Sequence, residues 1–337
     1  MITTDLRFGI LGWGYWGPKI ARNLESLPHV MVTMVADRDA GRLASLPVNQ
    51  YQSWVHKTTL VEDVFRSDID GVVIATPVQT HYRLAKEALL HGKHVLVEKP
   101  LTTSVAEAQE LIVLAKEQRC TLMVGHTFEY SPAVNELRKF VQSGDLGEIY
   151  CIEAQRLNLG LFRSDVNVIW DLAPHDVSIL LYLLGKKPEQ IKIQAHAHLQ
   201  SGIHDTAHLD LRFANKMSAH IHVSWLHPCK IRRITVIGDV RMAVYDDTNP
   251  AEMLKIYNKG ADVHSDPVVS YRFGEITIPH IDWIEPLRLE CEDFVNSIRT
   301  GTQPRAHGDV GLEVVRVLAA AQEVLEIQER QIAKVAM

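Results

Sequence analysis

The stretch FGILGWGYWGPKIARNL, residues 8–24, decides the fold of this chain. Gly12, Gly14 and Gly17 form a G-x-G-x-x-G pattern between an apolar run typical of a strand and an amphipathic segment that starts with Pro18. In this context the first glycine permits a tight turn, the second lets the backbone approach a pyrophosphate, and the third lets helix and strand pack closely. The alternative is a structural glycine bend, but the order strand, turn, helix favours a dinucleotide-binding turn.

An acidic residue follows at the distance that a dinucleotide site requires. Asp37 ends the apolar run VMVTMVAD about 20 residues after Gly17, where a carboxylate can accept hydrogen bonds from the adenosine ribose hydroxyls. The carboxylate would repel the 2′-phosphate of NADP, which favours NAD. Arg38 keeps NADP open as an alternative, because a guanidinium can hold that phosphate. Tyr15 and Trp16 are further candidates for cofactor contacts, unless they only pack the first helix.

The periodicity of the chain changes near residue 125. From residue 6 to residue 125, short apolar runs alternate with amphipathic segments, which predicts an α/β Rossmann domain with a doubly wound parallel sheet over residues 1–125. Beyond it, two helices, six strand-like runs and two closing helices near residues 285–299 and 309–330 predict a C-terminal α+β domain over residues 126–337 with an open, mainly antiparallel sheet for substrate binding and oligomerisation. One face of such a sheet is left for a second subunit, so we expect a homodimer or homotetramer.

Composition excludes several classes of protein. The chain has 337 residues, 46% of them hydrophobic, and a net charge of −6, which is typical of a globular protein and gives no support for nucleic-acid binding. No apolar run approaches the roughly 20 residues of a membrane span, and the N-terminus MITTDLRFGI lacks signal-peptide features, so we expect a cytoplasmic protein without a membrane partner. The 4 cysteines form no CxxC pair and the 17 histidines no HExxH pattern, so no metal site is predicted.

A lysine stands at the end of a predicted strand in VLVEKPL, residues 95–101. Lys99 would point into the crevice at the carboxyl ends of the strands, where desolvation would lower its pKa and suit it to proton transfer. Pro100 would fix the turn, in either isomer of the Lys99–Pro100 bond. Taken alone, this position favours a solvated lysine over a catalytic one.

A second candidate pair lies in NVIWDLAPHDVSILLYLLG, where Asp171 and His175 are four residues apart and would share one face of a helix. Pro174 inside this pattern predicts that the helix begins near Asp171. A histidine with a neighbouring carboxylate suits a general base that takes a proton from an alcohol. The alternative is a capping aspartate and a surface histidine.

Together these motifs resemble the Gfo/Idh/MocA family, the glucose–fructose oxidoreductase and inositol dehydrogenase group, over nearly the whole chain. The resemblance rests on GILGWGYWG, ATPVQTHY, EKPL, GDLGEI and the D-x-x-x-H of WDLAPHD, in that order. It implies that His175 is the general acid/base and that Lys99 and Asp171 orient the substrate hydroxyl. It further implies cofactor contacts from the loop beside the nicotinamide and from the strand-end motif: Thr76, Pro77, His81, Glu98 and Lys99.

The chain departs from many family members at Val168, Ile169 and Trp170, where a Gly-Gly pair is common. The segment LNLGLFRSDVNVIWDLAPHD is similar to members in nucleotide-sugar pathways for surface polysaccharides, which oxidise C3 of a UDP-activated N-acetyl sugar. We therefore expect an NAD(H)-dependent oxidoreductase acting on a secondary alcohol of a sugar, most of all C3 of a UDP-linked N-acetyl amino sugar. A sugar offers many hydroxyls and a diphosphate requires cations, which gives these candidate substrate contacts: Arg156, Asn158, Arg163, Asn167, Asp171 and His175.

Other functions stay open on the sequence. The enzyme could be a keto-sugar reductase, or an inositol or free-sugar dehydrogenase, since the chemistry is reversible. A different class is a sensor that binds NAD(H) without turnover, as a Rossmann domain alone would allow. Lys99, Asp171 and His175 argue against the sensor, because a protein that only binds has no need of them.

Overall fold

A computed structural model describes residues 5–46, 55–263 and 269–335 of the chain. It contains two compact units, Met1–Tyr130 with Ile284–Val315, and Ser131–Trp283 with Arg316–Met337. This division differs from the predicted linear one at residue 125, because a C-terminal segment belongs to the first unit. The reason is core packing: Phe294 from that segment lies 5.7 Å, ring centre to ring centre, from Phe8 in the first strand.

Nine helices are described and are numbered here in chain order. They are α1 (Gly17–Glu25), α2 (Ala40–Ala44), α3 (Val61–Arg66), α4 (His81–Leu90), α5 (Val105–Glu117), α6 (Pro132–Ser143), α7 (Val168–Leu184), α8 (Pro286–Thr300) and α9 (Gly308–Val335). Helices α1 to α5 and α8 belong to the first unit, α6 and α7 to the second, and the residues of α9 are divided between the units after Val315.

The sheet of the first unit is parallel throughout, in the order β3-β2-β1-β4-β5-β6. Its strands are β1 (Leu6–Leu11), β2 (Val30–Ala36), β3 (His56–Thr58), β4 (Gly71–Ile74), β5 (His94–Glu98) and β6 (Leu122–Gly125). This order confirms the predicted Rossmann fold, in which ligands bind where the strand order reverses, at the carboxyl ends of β1 and β4. The short β3 was not predicted, because its three residues, His-Lys-Thr, show no apolar pattern.

The sheet of the second unit has the order β14-β13-β12-β11-β7-β10-β9-β8, and β7 with β10 is its one parallel pair among the described strands. Its strands are β7 (Ile149–Leu159), β8 (Gln190–His196), β9 (Thr206–Arg212), β10 (Ser218–Ser224), β11 (Leu226–Gly238), β12 (Met242–Asp246), β13 (Leu254–Val263) and β14 (Val269–Thr277). The predicted mainly antiparallel sheet is therefore confirmed. Strands β13 and β14 were not predicted, because the polar Asn-Lys-Gly-Ala-Asp inside β13 is more typical of a turn.

The two faces of this second sheet differ as the alternation predicts. Residues such as Leu209 in β9 and Ile221 in β10 are buried on the face that α7 covers. The opposite face carries polar side chains, including Asp210 and His222, which alternate with the buried positions.

Helix α7 begins earlier than predicted. The Asn167 side chain accepts hydrogen bonds from the backbone N–H groups of Ile169 (3.1 Å) and Trp170 (3.2 Å), so the helix starts at Val168 and not near Asp171. The prediction of the helix start was wrong because Pro174 was placed in the first turn. It lies inside the helix, which continues to Leu184 although Pro174 lacks the N–H that would bond to the preceding turn.

The described residues lack two features, a membrane-spanning helix and a cluster of metal ligands. No helix in the described ranges is both long and apolar enough to cross a membrane. The same residues hold no group of three or more His, Cys, Asp or Glu side chains that could bind a metal ion. All four cysteines are free thiols: Cys120, Cys151, Cys229 and Cys291.

Candidate active site

The glycine turn between β1 and α1 uses its three glycines for different purposes. Gly12 has a positive φ of 95°, and a Cβ there would lie 2.5 Å from the carbonyl oxygen of Ala75. A Cβ on Gly17 would lie 2.1 Å from the carbonyl oxygen of Gly12, so only glycine lets α1 begin this close to the strand. A Cβ on Gly14 would meet, of the described atoms, only the Arg42 guanidinium at 3.6 Å, which leaves room beside the backbone.

The start of α1 also suits an anion. Pro18 occupies the first turn, that turn carries no acidic residue, and no side chain of the described residues caps the helix start. The first backbone N–H groups of a helix and its dipole attract a negative group. Open space beside Gly14 and an uncapped helix start together fit the pyrophosphate of a dinucleotide.

Asp37 lies at the end of β2, next to the glycine turn. Its side chain is buried, and its two oxygens accept hydrogen bonds from the backbone N–H groups of Trp13 (2.7 Å) and Asp39 (2.8 Å). The Arg42 guanidinium lies 3.6 Å from one of these oxygens. The carboxylate is thus fixed in the position where ribose hydroxyls would be bound, while the neighbouring Arg38 is exposed.

The aromatic residues of the turn divide between core and surface. Trp13 is buried in the hydrophobic core of the first unit, against which Trp16 also packs. Tyr15 is 71% exposed and stands edge-on to Trp16, with ring centres 5.3 Å apart. The Lys19 ammonium lies 3.4 Å above the Tyr15 ring. Tyr15 is therefore a surface-exposed candidate cofactor contact, whereas Trp16 is half-buried.

The loop after β4 carries Thr76, Pro77 and His81. Pro77 is exposed, and the Thr76 hydroxyl lies 2.6 Å from the Thr80 hydroxyl. His81 is buried, and its Nδ1 and Nε2 atoms each lie 2.9 Å from a backbone carbonyl oxygen, of Pro100 and Thr76 respectively. Both carbonyls only accept, so the ring donates to both when each nitrogen carries a proton. The two ring nitrogens of His81 therefore connect this loop to the turn after β5, and its contact with the cofactor stays a prediction.

Glu98 ends strand β5 and Lys99 follows it, so both lie at the carboxyl edge of the same sheet. Glu98 is buried and Lys99 is half-buried, and the Lys99–Pro100 peptide bond is cis. Burial raises the pKa of Glu98 to about 7, although the neighbouring Lys99 acts to lower it. Burial and the charge of Lys99 lower the pKa of His126, just beyond β6, to about 3. Lys99 thus lies in a setting of buried ionisable groups.

In the second unit, Asp171 and His175 project from the same side of α7. Most residues of this helix are buried, whereas these two are partly exposed, one turn apart. The Trp225 indole N–H donates to one Asp171 oxygen at 3.0 Å, and the Arg163 guanidinium lies 3.7 Å from the other. The aspartate is therefore held in place from two directions.

The predicted substrate contacts differ in their surroundings. Arg163 is partly exposed and donates two hydrogen bonds to Asp165, at 3.0 and 2.9 Å. Asn158 is half-buried beside Gly160. Asn167 caps α7, and its amide nitrogen donates to Gln322 at 3.0 Å.

Arg156 requires a correction. It is buried, and its guanidinium donates two hydrogen bonds of 2.9 Å to the buried Asp176 carboxylate. A guanidinium enclosed in this way holds β7 and α7 together, so it is not retained as a substrate contact. Asn167 is likewise committed to capping, which leaves Arg163 and Asn158 of the predicted set outside α7.

Two residues of the site carried no signal in the sequence. Arg42 reaches Asp37 from α2, which was not predicted, and Trp225 follows β10, more than 50 residues from the aspartate it contacts. Neither lies in a recognisable motif. Arg42 could have been suspected only if α2 had been recognised behind Asp39, whose side chain caps it.

Both units of the chain match models of one protein family. Residues 6–126 match the model of the GFO/IDH/MocA oxidoreductase family with an NAD-binding Rossmann fold, and residues 134–244 match the model of the GFO/IDH/MocA C-terminal domain. The UDP-N-acetylglucosamine 3-dehydrogenase of Acidithiobacillus ferrooxidans is 30% identical over 322 residues, which covers 95% of this chain and 96% of that protein. The inositol 2-dehydrogenase of Rhizobium meliloti is 23% identical over 342 residues, covering 97% of this chain and 99% of that protein.

Solved structures of related proteins have the same fold as this chain. A crystal form of the Acidithiobacillus ferrooxidans dehydrogenase superposes with a TM-score of 0.78 at 28% identity, covering 96% of this chain and 99% of that one. A structure of an aldose–aldose oxidoreductase from Caulobacter crescentus gives a TM-score of 0.81 at 19% identity, over 96% of this chain and 98% of that one. The second match supports the fold alone.

Proposed function

Because this chain belongs to the GFO/IDH/MocA family of oxidoreductases with an NAD-binding Rossmann fold, we propose that it oxidises a secondary alcohol of a sugar at C3 of a UDP-linked N-acetyl amino sugar. One observation carries the catalytic part of this proposal. On a helix that is otherwise largely buried, Asp171 and His175 are partly exposed one turn apart, and Asp171 is fixed by Trp225 and Arg163.

His175 has the role of proton carrier in this proposal. A neutral imidazole takes the proton of the hydroxyl as the alcohol becomes a ketone, and returns it in the reverse direction. Asp171, one helical turn earlier, places a negative charge on the same face of α7. Its fixed position keeps that charge on the face from which His175 projects, which supports the assignment of His175 as the acid/base.

Lys99 has the role of holding the hydroxyl oxygen. An ammonium donates hydrogen bonds and stabilises the negative charge that develops on this oxygen as its proton leaves. Its place at the end of β5 follows from the sequence HVLVEKP, in which the buried strand stops at Glu98. The carboxyl edge of a doubly wound sheet is where substrate and cofactor bind in this class of fold.

The glycine turn, the start of α1 and Asp37 would hold the dinucleotide, which when bound supplies the hydride acceptor and donor for the reaction. The fixed carboxylate of Asp37 favours NAD, since a 2′-phosphate beside it would be repelled. NADP is the less favoured alternative cofactor, because the exposed Arg38 guanidinium could hold its 2′-phosphate. Tyr15 and Pro77, both exposed, complete the proposed cofactor surface of the first unit.

The identity of the sugar rests on the relative from Acidithiobacillus ferrooxidans, whose name states a UDP-N-acetylglucosamine substrate and which matches nearly the whole chain. Arg163 supports a charged substrate, being a partly exposed cation beside Asp171. The relative from Rhizobium meliloti favours the alternative of an inositol substrate.

The proposal is tested by following nicotinamide absorbance with a panel of UDP-sugars, free sugars and inositols. We expect reduction of NAD with UDP-N-acetyl amino sugars, and a loss of at least about 100-fold in kcat for His175→Ala, which removes the proton carrier, and for Lys99→Ala, which removes the donor that stabilises the developing negative charge. Cofactor binding without turnover on any substrate would instead support a sensor. Turnover of inositols alone would show that the substrate is an inositol and not a UDP-linked amino sugar.

We propose further that copies of this chain assemble into a homodimer or homotetramer. Among the described strands, β14 lies at the edge of its sheet and exposes Tyr271 and Phe273, the latter 80% exposed, and a sheet edge with exposed aromatic side chains is a surface that proteins normally cover. Light scattering after gel filtration measures the assembly directly. A monomeric mass at micromolar concentration would contradict this part of the proposal.

A further inference from the structure

A cavity of about 730 Å³ lies in the first unit at the amino ends of β5 and β6, on the edge of the parallel sheet opposite to the glycine turn. His94 begins β5 and Thr121 precedes β6, while the ends of α5 and α8 and the start of α9 form the other walls. Sites for small ligands are commonly about 300–1,000 Å³ in volume. None of the described lining residues has been assigned above to cofactor or substrate.

The wall that precedes α9 is fixed to the sheet. The Val124 backbone N–H donates to the Ala306 carbonyl oxygen at 2.8 Å, and Met123 pairs with His307 in an antiparallel bridge. This segment therefore continues the sheet beyond β6. The cavity is built between a strand edge and helix ends, so it is formed before any ligand enters.

The interior combines an apolar wall with a polar group that lacks a partner. The apolar wall consists of Ile112 and Leu122, which are buried, and Ile298, which is partly buried. Ser297 in α8 also lines the cavity, its side chain is only 1% exposed, and its hydroxyl has no hydrogen-bond partner among the described residues. A buried hydroxyl without a partner is costly, and a ligand with an acceptor atom would satisfy it.

His94 offers a second donor to the cavity. The Thr121 backbone N–H donates to its Nδ1 at 2.8 Å, so Nδ1 presents its lone pair and the proton of the neutral ring is on Nε2. Burial lowers the pKa of His94, although the charge of Asp70 acts to raise it, and the ring is neutral at pH 7. Nε2 has no hydrogen-bond partner in the described ranges, so its N–H can donate to a ligand.

The charged side chains around the cavity include one cation more than acids. The Lys116 ammonium lies 3.9 Å from one oxygen of Asp309, and Nδ1 of His307 lies 3.4 Å from the other, so the one acid of the described lining already has a cation beside it. The Arg119 guanidinium lines the same cavity and has no hydrogen-bond or ion-pair partner in the described part of the chain. A guanidinium in this state is suited to pair with one negatively charged group of a ligand.

We propose that this cavity binds an organic monoanion, a small molecule with an apolar body and a single negatively charged group. The body packs on the apolar wall, the charged group pairs with Arg119, and its acceptor atoms receive hydrogen bonds from Ser297 and His94. A single charge is expected because Asp309 offsets the charge of Lys116. The site is separate from the cofactor surface, so its occupation does not depend on which sugar the protein oxidises.

The probe for this site is 8-anilinonaphthalene-1-sulfonate, a fluorescent apolar compound with one negative charge. N-phenyl-1-naphthylamine, the same ring system without the sulfonate, is the uncharged control. Both are titrated in saturating NADH, which keeps them out of the dinucleotide site. We expect the sulfonate to bind at one saturable site, and the absence of saturable binding would overturn the proposal.

Arg119 permits a variant that separates binding from folding. It has a φ of 55° in the turn that ends α5, where the Cys120 N–H donates to the Ala115 carbonyl oxygen at 2.9 Å, and glycine is the residue that this conformation favours. Arg119→Gly should therefore be at least as stable as wild type in urea unfolding. It should nevertheless bind the sulfonate at least about tenfold more weakly, while the affinity for the uncharged compound changes by less than about twofold.

Two further variants control for the charge. Arg119→Lys keeps a cation at this position and should retain most of the affinity for the sulfonate. Arg83→Gln removes the charge of an exposed arginine in α4, away from the cavity lining, and should leave the affinity unchanged. If Arg119→Gly binds the sulfonate as tightly as wild type, or loses both compounds equally, the proposed pairing with Arg119 is refuted.

Thiol modification locates the bound probe without any substitution. Cys120 is a partly exposed free thiol in the cavity lining, and Cys229 is an exposed free thiol in the second unit. Their rates of alkylation by iodoacetamide are followed by peptide mass spectrometry, with and without saturating sulfonate. We expect the probe to slow the modification of Cys120 at least about fivefold, because it covers the thiol, and to leave Cys229 unchanged. An unchanged rate at Cys120 with the probe bound would show that the probe binds elsewhere and would overturn the proposal.

Discussion

Gly14 and Gly17 stand three residues apart in one turn, yet replacing each by alanine should have opposite consequences. A Cβ on Gly17 would lie 2.1 Å from the Gly12 carbonyl oxygen, and because the obstacle is backbone, the start of α1 must move. Overpacking of this kind costs about 1–3 kcal/mol of stability or more. A Cβ on Gly14 meets, of the described atoms, only the flexible Arg42 side chain at 3.6 Å.

The free energy of unfolding of Gly14→Ala should therefore lie within about 1 kcal/mol of the wild-type value. A small gain in stability is expected because alanine lowers the entropy of the unfolded chain. It should nevertheless lose affinity for NADH, because the methyl group occupies the space into which the pyrophosphate would come. A loss of 1.4 kcal/mol is tenfold in Kd, and we expect at least about that, with more for Gly14→Val. In Gly17→Ala the main effect should instead be a lower free energy of unfolding.

Urea unfolding gives the stability of the three proteins, and calorimetric titration with NADH gives the affinity. The expected pattern is a stable Gly14→Ala that binds weakly, beside a destabilised Gly17→Ala. If Gly14→Ala binds NADH as tightly as wild type, the turn is a structural bend and not a pyrophosphate site. If Gly14→Ala is as unstable as Gly17→Ala, the space beside Gly14 is too small for a methyl group.

Three further substitutions test separate parts of the structure. Trp225→Phe removes the donor to Asp171 while keeping an aromatic ring, and should lower kcat about tenfold with a loss of only about 1 kcal/mol in unfolding free energy. Asp176→Asn leaves the Arg156 charge buried and should cost about 3–5 kcal/mol, whereas Arg156→Met combined with Asp176→Leu should be closer to wild type in urea unfolding. Asp37→Asn keeps a hydrogen-bond acceptor without the charge, and the ratio of kcat/KM for NADP to that for NAD should rise at least about tenfold; an unchanged ratio would show that Asp37 does not select the cofactor.

The features that could be predicted from the sequence are local. The glycine turn, the alternation of strands and helices to residue 125, and the Asp171–His175 spacing each lie within one short segment, so periodicity and turn chemistry suffice to predict them. The start of α7 was missed because a proline suggested the first turn, whereas the Asn167 side chain fixes the start one turn earlier.

The features that could not be predicted join distant segments. Phe294 packs on Phe8, and this contact places residues 284–315 in the first unit, but nothing local in either segment indicates it. Arg156 has the charge expected of a substrate contact, and only the position of Asp176 across the α7–β7 contact shows that it is enclosed. A charged residue that is buried and paired cannot be told from an exposed one by its neighbours in sequence.

The most direct measurement of the central proposal uses a UDP-N-acetyl amino sugar that carries deuterium at C3. After incubation with the protein and NAD, the reduced cofactor is isolated and its deuterium content measured by mass spectrometry and proton NMR. We expect one deuterium in the nicotinamide ring, formed by the wild-type protein and at least about 100-fold more slowly by His175→Ala. Reduced cofactor without deuterium, or no reduction with this sugar beside rapid reduction with another, would contradict oxidation at C3.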